Sequence, residues 1–275
     1  MLTDYHVHLR PDEPGTTAEK YFTAANADRF KVVAEERGVG DLGVSEHIYR
    51  FTAALDVWQH DLWKGAAVDD IDAYVEFLGE QGLRRGIEAD FIPGREDRIA
   101  SLLEARDFDY VIGSVHFLGD LAVDHLGYDI WDHTSADPEK IWKRYFETLG
   151  ECGRSGLFDI LAHPDLVKVW GGRRPKPDGD LRRFYELAIE GIVEGGAAVE
   201  VSTAGLRKPV GELYPDGAFL EMVLEAGCDI TISSDAHVPG DLASHYDQAV
   251  EFLAEHGVTE LTVFEGRQRR KEPIG

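Results

Sequence analysis

The chain has 275 residues, 43% of them hydrophobic and 29% charged, the proportions of an ordinary globular protein rather than a disordered or fibrous one. A formal net charge of -24 opposes nonspecific attraction to nucleic acid or an anionic membrane, and no apolar stretch reaches the roughly 18 residues of a membrane span. A phosphorylated ligand would therefore need local positive charge, from cations or an arginine.

The elements follow one another in a regular order. The chain opens on Asp4-Tyr5-His6-Val7-His8, a short strand-like run that ends in residues able to hold a metal. Residues 16 to 37 start with Thr16-Thr17-Ala18-Glu19, a capping-box pattern, and predict a helix that Gly38 stops. A strand at 41 to 46 leads into Glu46-His47. Ile71 to Gln81 reads as a helix before the run ending at Glu88, and Arg95 to Arg106 as another before Tyr110 to His116. Pro138 suits the first helical position behind an Asp137 cap, with the helix reaching about Cys152. Then come a strand at Phe158 to His163, a helix from Leu181 to Glu194, a strand at Ala197 to Ser202, a helix at Pro215 to Ala226 and a strand at Asp229 to Ser234. Leu261 to Phe264 is a candidate eighth strand. Two long loops, Tyr49 to Gly65 and Gly119 to Ser135, carry the aromatics Phe51, Trp58, Trp63, Tyr128 and Trp131 with His125, and loops of this length are usually functional or mobile.

Repeated βα order argues for an α/β fold with a parallel sheet and right-handed crossovers. A closed barrel is preferred to an open sheet, because polar residues end nearly every strand, whereas an open sheet gathers its site at one switch point. No linker or repeat divides the chain, so residues 1–275 are expected to form one domain. Leu2 runs into Asp4 and His6 without the basic start and apolar stretch of a signal peptide, so a cytoplasmic location is expected. Cys152 and Cys228 lack a paired spacing and read as reduced packing residues. The acidity also suits a saline habitat.

His6 and His8, two apart on a strand, project from one face and can meet one ion. His47, Glu88, His116, His163 and the pair Asp235 and His237 end the following strands. Any one of them has a structural reading, as a satisfied core or loop residue. Six strand ends in a row carrying ligand types argue for a shared metal site. Glu88, at the end of an apolar run, is costly unless paired or metal-bound, and its two oxygens can bridge two cations. His60, His125, His133, His245 and His256 fall in helices or loops and read as solvent or supporting residues, with His125 a possible pocket lining. Arg207 follows the sixth strand, where its fork suits phosphate oxygens. Lys168, Arg173 and Arg174, after His163, are further basic candidates with an equally good surface role.

The ordered set His6-Val7-His8, Glu46-His47, Glu88, Gly113-Ser114-Val115-His116, His163-Pro164 and Ser234-Asp235-Ala236-His237 resembles the polymerase and histidinol phosphatase (PHP) family. Gly86-Ile87-Glu88-Ala89-Asp90, Asp109 to His116, Arg154 to Phe158 and Ser202 to Arg207 resemble its histidinol-phosphate phosphatase branch. The resemblance spans essentially the whole chain and implies a distorted TIM-like (β/α)7 barrel with a trinuclear centre of zinc, iron or manganese. By it, His6, His8, Glu88 and Asp235 hold the first ion, Glu88, His116 and His163 the second, and His47 and His237 the third. Many relatives place a further histidine shortly after the His-x-His pair. This chain has Arg10-Pro11-Asp12-Glu13-Pro14 there, so Asp12 is the expected substitute and Glu13 the alternative, with a centre of two ions if neither serves.

Two or three divalent ions held this way suit hydrolysis, since they generate hydroxide near neutral pH and offset phosphoryl charge. The expected activity is that of a phosphomonoesterase acting on a small phosphorylated substrate, L-histidinol phosphate, in histidine biosynthesis. A metal-bridging hydroxide would attack phosphorus, with Glu88, Asp235, His237 and Arg207 as the catalytic set. Tyr128, Trp131 and His125 are placed to recognise an imidazole. The chain is expected to be a monomer or small homo-oligomer without nucleic-acid or membrane partners. Three alternatives stand beside this: another PHP phosphoesterase, disfavoured by the charge if it acts on nucleic acid; an amidohydrolase-like enzyme, disfavoured by the absence of a lysine at a strand end; and a metal-binding protein without catalysis, disfavoured by the intact ligand set.

Overall fold

The structure, a computed structural model, describes residues 1–13, 15–133 and 136–275. Pro14 of the first loop, and Thr134 and Ser135 at the end of the second expected long loop, lie outside the described residues.

The protein is an α/β fold whose apolar runs pair in parallel. Strands β1 (Leu2–Asp4), β2 (Val39–Val44) and β3 (Arg84–Arg85) form one sheet in that order. Strands β4 (Glu88–Asp90), β5 (Ile112–Ser114), β6 (Ile160–Leu161), β7 (Ala198–Ser202) and β8 (Ile230–Ser233) form a second, ordered β8-β7-β6-β5-β4. Isolated parallel bridges link the two sheets at both edges: His47 with Glu88, and Val7 with Ala236. At the second bridge the amide of His8 donates to the Ala236 carbonyl at 2.7 Å, so the first and last strand ends lie side by side.

Helices alternate with these strands, and several start where a side chain satisfies free amides. Asp70 caps Ile71–Glu80, Asp137 caps Pro138–Arg154 with Pro138 in the first turn, and Asp216 caps Gly217–Glu225. Glu96–Glu104 and Arg182–Gly195 fill the other expected positions. The helix expected at 16 to 37 is instead two, Ala18–Tyr21 and Ala24–Glu36. The second starts afresh because Thr23 accepts from the Asn26 amide, and Asn26 in turn donates to the carbonyls of Leu9 and Tyr21. The Thr16–Thr17 capping box is not used: Thr17 makes no capping bond, and Thr16 Oγ accepts from Arg10 Nε at 2.9 Å.

Leu261 to Phe264 is not an eighth parallel strand. It belongs to Glu260–Glu265, which turns back on Gln268–Pro273 as an antiparallel hairpin. Val263 and Phe264 are buried with Tyr5, Tyr110, Ile112, Ile160, Ala162 and Ala198, a small apolar cluster that takes in the first residues of β5, β6 and β7. The Tyr110 ring needs glycine on two neighbouring strands: a Cβ at Gly43 would lie 2.2 Å from its Oη, and one at Gly86 2.3 Å from its Cζ. The hairpin therefore covers the end of the strand system opposite the candidate site.

The stretch expected as the loop Tyr49 to Gly65 is compactly folded through short turns and the helix Asp61–Ala66, with Phe51, Trp58 and Trp63 buried in the main core. Its aromatics pack inward because three large apolar rings in sequence gain more from burial than from exposure. The described part of the second loop holds a small hairpin, Phe117–Leu118 with Leu121–Ala122, and two turns. Cys152 is buried, Cys228 is partly buried, and both are free. No helix of the described residues is long and apolar enough to cross a membrane.

Candidate metal centre

His6, His8, His47, His116, His163, Asp235 and His237 follow the C-terminal ends of parallel strands, Glu88 opens β4, Asp12 joins from the loop after β1, and together they form one cluster around Glu88. Glu88 Oε2 is 3.3 Å from His6 Nε2, 3.6 Å from His8 Nε2 and 2.5 Å from His47 Nδ1. Its other oxygen, Oε1, is 3.3 Å from His163 Nε2 and 3.4 Å from His116 Nε2. Asp235 Oδ1 is 3.4 Å from His8 Nε2, and 3.6 Å from both His6 Nε2 and His237 Nδ1. Asp12 Oδ2 is 2.8 Å from His237 Nε2 and 3.4 Å from His47 Nε2; Asp12 and the neighbouring Glu13 are both exposed.

These residues fit divalent ions. Ligands about 2.1 Å from an ion in tetrahedral array stand about 3.4 Å apart, which is the spacing of most of these pairs. Three groups, His6 with His8 and Asp235, His6 with Glu88 and His163, and His8 with His47 and His237, have ligand atoms within 4.8 Å of one another. His6 Nε2, both nitrogens of His8, His47 Nδ1, His237 Nε2 and Glu88 Oε2 are buried without a hydrogen-bond partner. Buried polar atoms left so cost free energy, and an ion would satisfy them. The groups differ in detail from those the family resemblance implies. His6 and His8 each face two clusters, and His116 meets the centre through Glu88.

The ionisation pattern of the metal-free protein follows from the same crowding. Burial alone would keep His47 neutral, but the Glu88 and Asp12 carboxylates raise it to about 10. Burial also opposes charge on Glu88, yet His47, His6 and His116 hold its carboxyl well below the usual range. Burial, reinforced by His237 and His47, lowers His8 to about 4.

A supporting layer escaped the sequence reading. Buried Glu200, on β7, accepts from Ser233 Oγ and the His163 amide and lies 3.0 Å from His6 Nδ1. Asp90 Oδ1 lies 2.7 Å from His116 Nδ1. Each carboxylate accepts from Nδ1, so that Nε2, which faces Glu88, is the nitrogen available to an ion, the arrangement that orients histidine ligands. Asp4 accepts from the amides of Ser234 and Ala243 and from Ser234 Oγ, fixing the turn before Asp235. Alternation offered a signal for Glu200: a carboxylate inside the apolar run Ala197 to Val201 has to be paired. His163 and Asp235 have positive φ, 24° and 49°, conformations that non-glycine residues hold where surrounding structure enforces them.

Arg207 reaches the site by its backbone partners rather than as an open fork. Its Nη2 donates to the carbonyls of Ser234 (2.6 Å) and Asp235 (3.0 Å), and its Nη1 to Ser244 Oγ (2.8 Å). The turned backbone at Asp235 leaves those carbonyls needing donors, so the guanidinium braces the turn; capture of phosphate by Arg207 would require one of these bonds to be exchanged. Lys168 is buried against Asp165, Glu212 and the Leu213 carbonyl, and Arg174 pairs with Asp129 and Asp132. Trp131 is buried and His125 exposed, so the expected imidazole-recognising trio does not present one joint face. His60 stacks on Trp58 away from the centre.

Fold and cluster define the class: an α/β protein whose parallel strand ends converge on a site built for divalent metal. No family model matches the chain. It is 36% identical over 283 residues to a probable histidinol-phosphatase of Deinococcus radiodurans, with 99% of each chain covered. It is also 27% identical to the histidinol-phosphatase of Bacillus subtilis, over 64% of this chain and 71% of that one. The chain belongs to the PHP family, in its histidinol-phosphatase branch. Its fold is similar to that of a histidinol phosphate phosphatase from Lactococcus lactis solved with zinc, L-histidinol and phosphate, with a TM-score of 0.73, 18% identity, and 98% and 99% of the two chains covered.

Proposed function

We propose that the protein is a metal-dependent phosphomonoesterase that hydrolyses L-histidinol phosphate to L-histidinol and phosphate. The observation that carries this reading is the convergence of five imidazoles, those of His6, His8, His47, His116 and His163, on the two oxygens of Glu88, in a chain related over its full length to a probable histidinol-phosphatase. Divalent ions held there supply an activated water and offset the charge of a phosphoryl group.

The chain's own residues prepare that chemistry. Glu88 presents one oxygen to His6, His8 and His47 and the other to His116 and His163, which suits a bridging ligand. Asp235 serves the His6–His8 side, and Asp12 with His47 and His237 forms a third position. Glu200 and Asp90 set the proton positions on His6 and His116. Arg207 steadies Asp235 and is an arginine adjoining the site that could serve a phosphoryl oxygen. Zinc, iron and manganese all suit imidazole with carboxylate.

We also read the two sheets, with β3 and β4 as one interrupted strand, as one distorted seven-stranded barrel in a single domain, supported by the bridges at Val7–Ala236 and His47–Glu88. The assignment extends to a cytoplasmic enzyme, monomeric or a small homo-oligomer, whose partner is the small phosphorylated substrate rather than nucleic acid or membrane.

The test is phosphate release by purified protein before chelation, after chelation, and after restoration of zinc, iron or manganese. L-Histidinol phosphate is expected to turn over far faster than generic sugar phosphates, with activity lost on chelation and regained with metal. Equal rates on all substrates would overturn the substrate assignment; full activity after chelation would overturn the metal mechanism.

A further inference from the structure

We infer that Arg50 is a positioning residue that holds Asp12 in the third metal position, in place of the histidine that many relatives carry in the first loop. The inference rests on the three-ion reading above. Asp12 belongs to a short surface loop and is itself exposed, so nothing in its local backbone fixes where its carboxylate points. Its rotamer is fixed from the other side. Arg50, at the end of the turn Ile48–Arg50, is 2% exposed. One arm of its guanidinium, Nη2, donates to Asp12 Oδ1. The other arm, Nη1, donates to Glu46 Oε2 and, at 2.7 Å, to the Arg10 carbonyl.

One planar fork thus grips both the backbone at Arg10 and the side chain at Asp12, and leaves Asp12 Oδ2 facing His237 Nε2 (2.8 Å) and His47 Nε2 (3.4 Å). The anchor is rigid. The Arg10 amide donates to Glu46 Oε1 at 3.1 Å, and the Glu46 amide donates to the buried Tyr74 hydroxyl at 3.1 Å. Arg10 also pairs with Asp69 and donates to Thr16, so the loop is tied on both sides of Asp12.

Two physical needs are met together. A carboxylate has less reach than an imidazole and swings freely toward water, so it becomes a dependable ligand once its second oxygen is occupied by a fixed donor. A carboxylate also adds negative charge where a histidine would add none, and the buried guanidinium, which Glu46 shares, offsets part of it. Lysine cannot replace the fork, because one ammonium lacks the paired, planar donors that span Glu46, the Arg10 carbonyl and Asp12.

The experiment is equilibrium dialysis of the full chain against a buffered series of free zinc, with bound zinc counted per chain, for wild type, Arg50→Gln, Arg50→Lys, Asp12→Asn and the double variant Asp12→His with Arg50→Lys. Wild type is expected to bind three zinc ions. Arg50→Gln and Arg50→Lys should weaken the third by about 10- to 100-fold, the usual effect of losing a partner behind a ligand, and leave the first two unchanged. Asp12→Asn should weaken the same ion, and Asp12→His should restore it in the Arg50→Lys background, since an imidazole there needs no clamp. If Arg50→Gln fails to fold because Glu46 is left unpaired, Arg50→Lys, which keeps a charge beside Glu46, gives the answer. Third-ion affinity unchanged in the Arg50 variants, equal weakening of all three ions, or no rescue by Asp12→His would overturn the inference. A wild type that binds no more than two zinc ions would overturn the third-site reading itself.

Discussion

The two ends of the parallel strands solve opposite problems with the same backbone. At the N-terminal end, Tyr5, Tyr110, Ile112, Ile160, Ala162 and Ala198 meet Val263 and Phe264 of the C-terminal hairpin in an apolar cluster. Its polar atoms are paired: Tyr110 Oη donates to the Tyr5 carbonyl at 2.6 Å, Tyr5 Oη donates to Asp41, and the Phe264 amide donates to Tyr5 Oη. At the C-terminal end, His6, His8, His47, Glu88, His116 and His163 are buried too, but several of the site's polar atoms have no partner. The N-terminal end satisfies itself apart from the buried Thr262 hydroxyl of the hairpin, which has no partner. The other is left needing ions, which is the division of labour expected when strand ends carry the chemistry and the opposite face carries stability.

The sharpest way to break that contrast is to remove the group at the centre of the needy end. Glu88→Gln keeps the size of the side chain but removes the charge that faces five imidazoles, so at least two ion positions should empty and phosphatase activity should be lost. Metal content and turnover of the purified variant check this; retention of full zinc content would mean that Glu88 is not a bridge. The matching test at the other end is Phe264→Ala. Removing this buried ring should lower unfolding stability by about 3–5 kcal/mol, measured by denaturant titration, while the surviving folded protein keeps wild-type metal content. A variant that lost metal in proportion to stability would show that the two ends are not separable.

The same contrast explains what could be read from the chain alone. Helix and strand order was legible because apolar periodicity and aspartate caps are local signals, as at Asp70, Asp137 and Asp216. The candidate ligands were legible because they recur at one position of a repeated unit. Glu200 was missed because it sits within a strand rather than at its exit, and its partners, Ser233, His163 and His6, are distant in sequence. Arg50 was missed because its importance depends on the backbone of Arg10 folding against it. The hairpin at Glu260–Pro273 was mistaken for a parallel strand because the short apolar core Leu261 to Phe264 looks the same whether it lies beside the other strands or beneath them. The helix at 16 to 37 read as continuous because the restart at Thr23 relies on Asn26 reaching the Leu9 carbonyl, a contact outside the helix.

Glu200 offers the finest test of how the needy end is prepared, with the smallest expected effect. As a carboxylate it can only accept, so with an ion bound the one proton of His6 belongs on Nδ1, and Nε2, on the side of Glu88 and Asp235, is the nitrogen that would meet the ion. Glu200→Gln preserves shape and can still accept from Ser233 Oγ, but its amide group can also donate to Nδ1. That alternative moves the proton to Nε2 and blocks the ligand position. Zinc affinity at the position that includes His6 should fall by about 10- to 100-fold, equivalent to about 1.4–2.7 kcal/mol, with the His47 and His237 position far less affected. Nitrogen-15 spectra of the zinc-loaded proteins should show His6 in the Nδ1–H form in wild type and a smaller share of that form in Glu200→Gln. The apolar end, which shares no hydrogen bond with Glu200, should keep its amide-exchange protection. Unchanged zinc affinity with an unchanged His6 tautomer would remove Glu200 from the site and leave it as a packing carboxylate satisfied by Ser233 and the His163 amide.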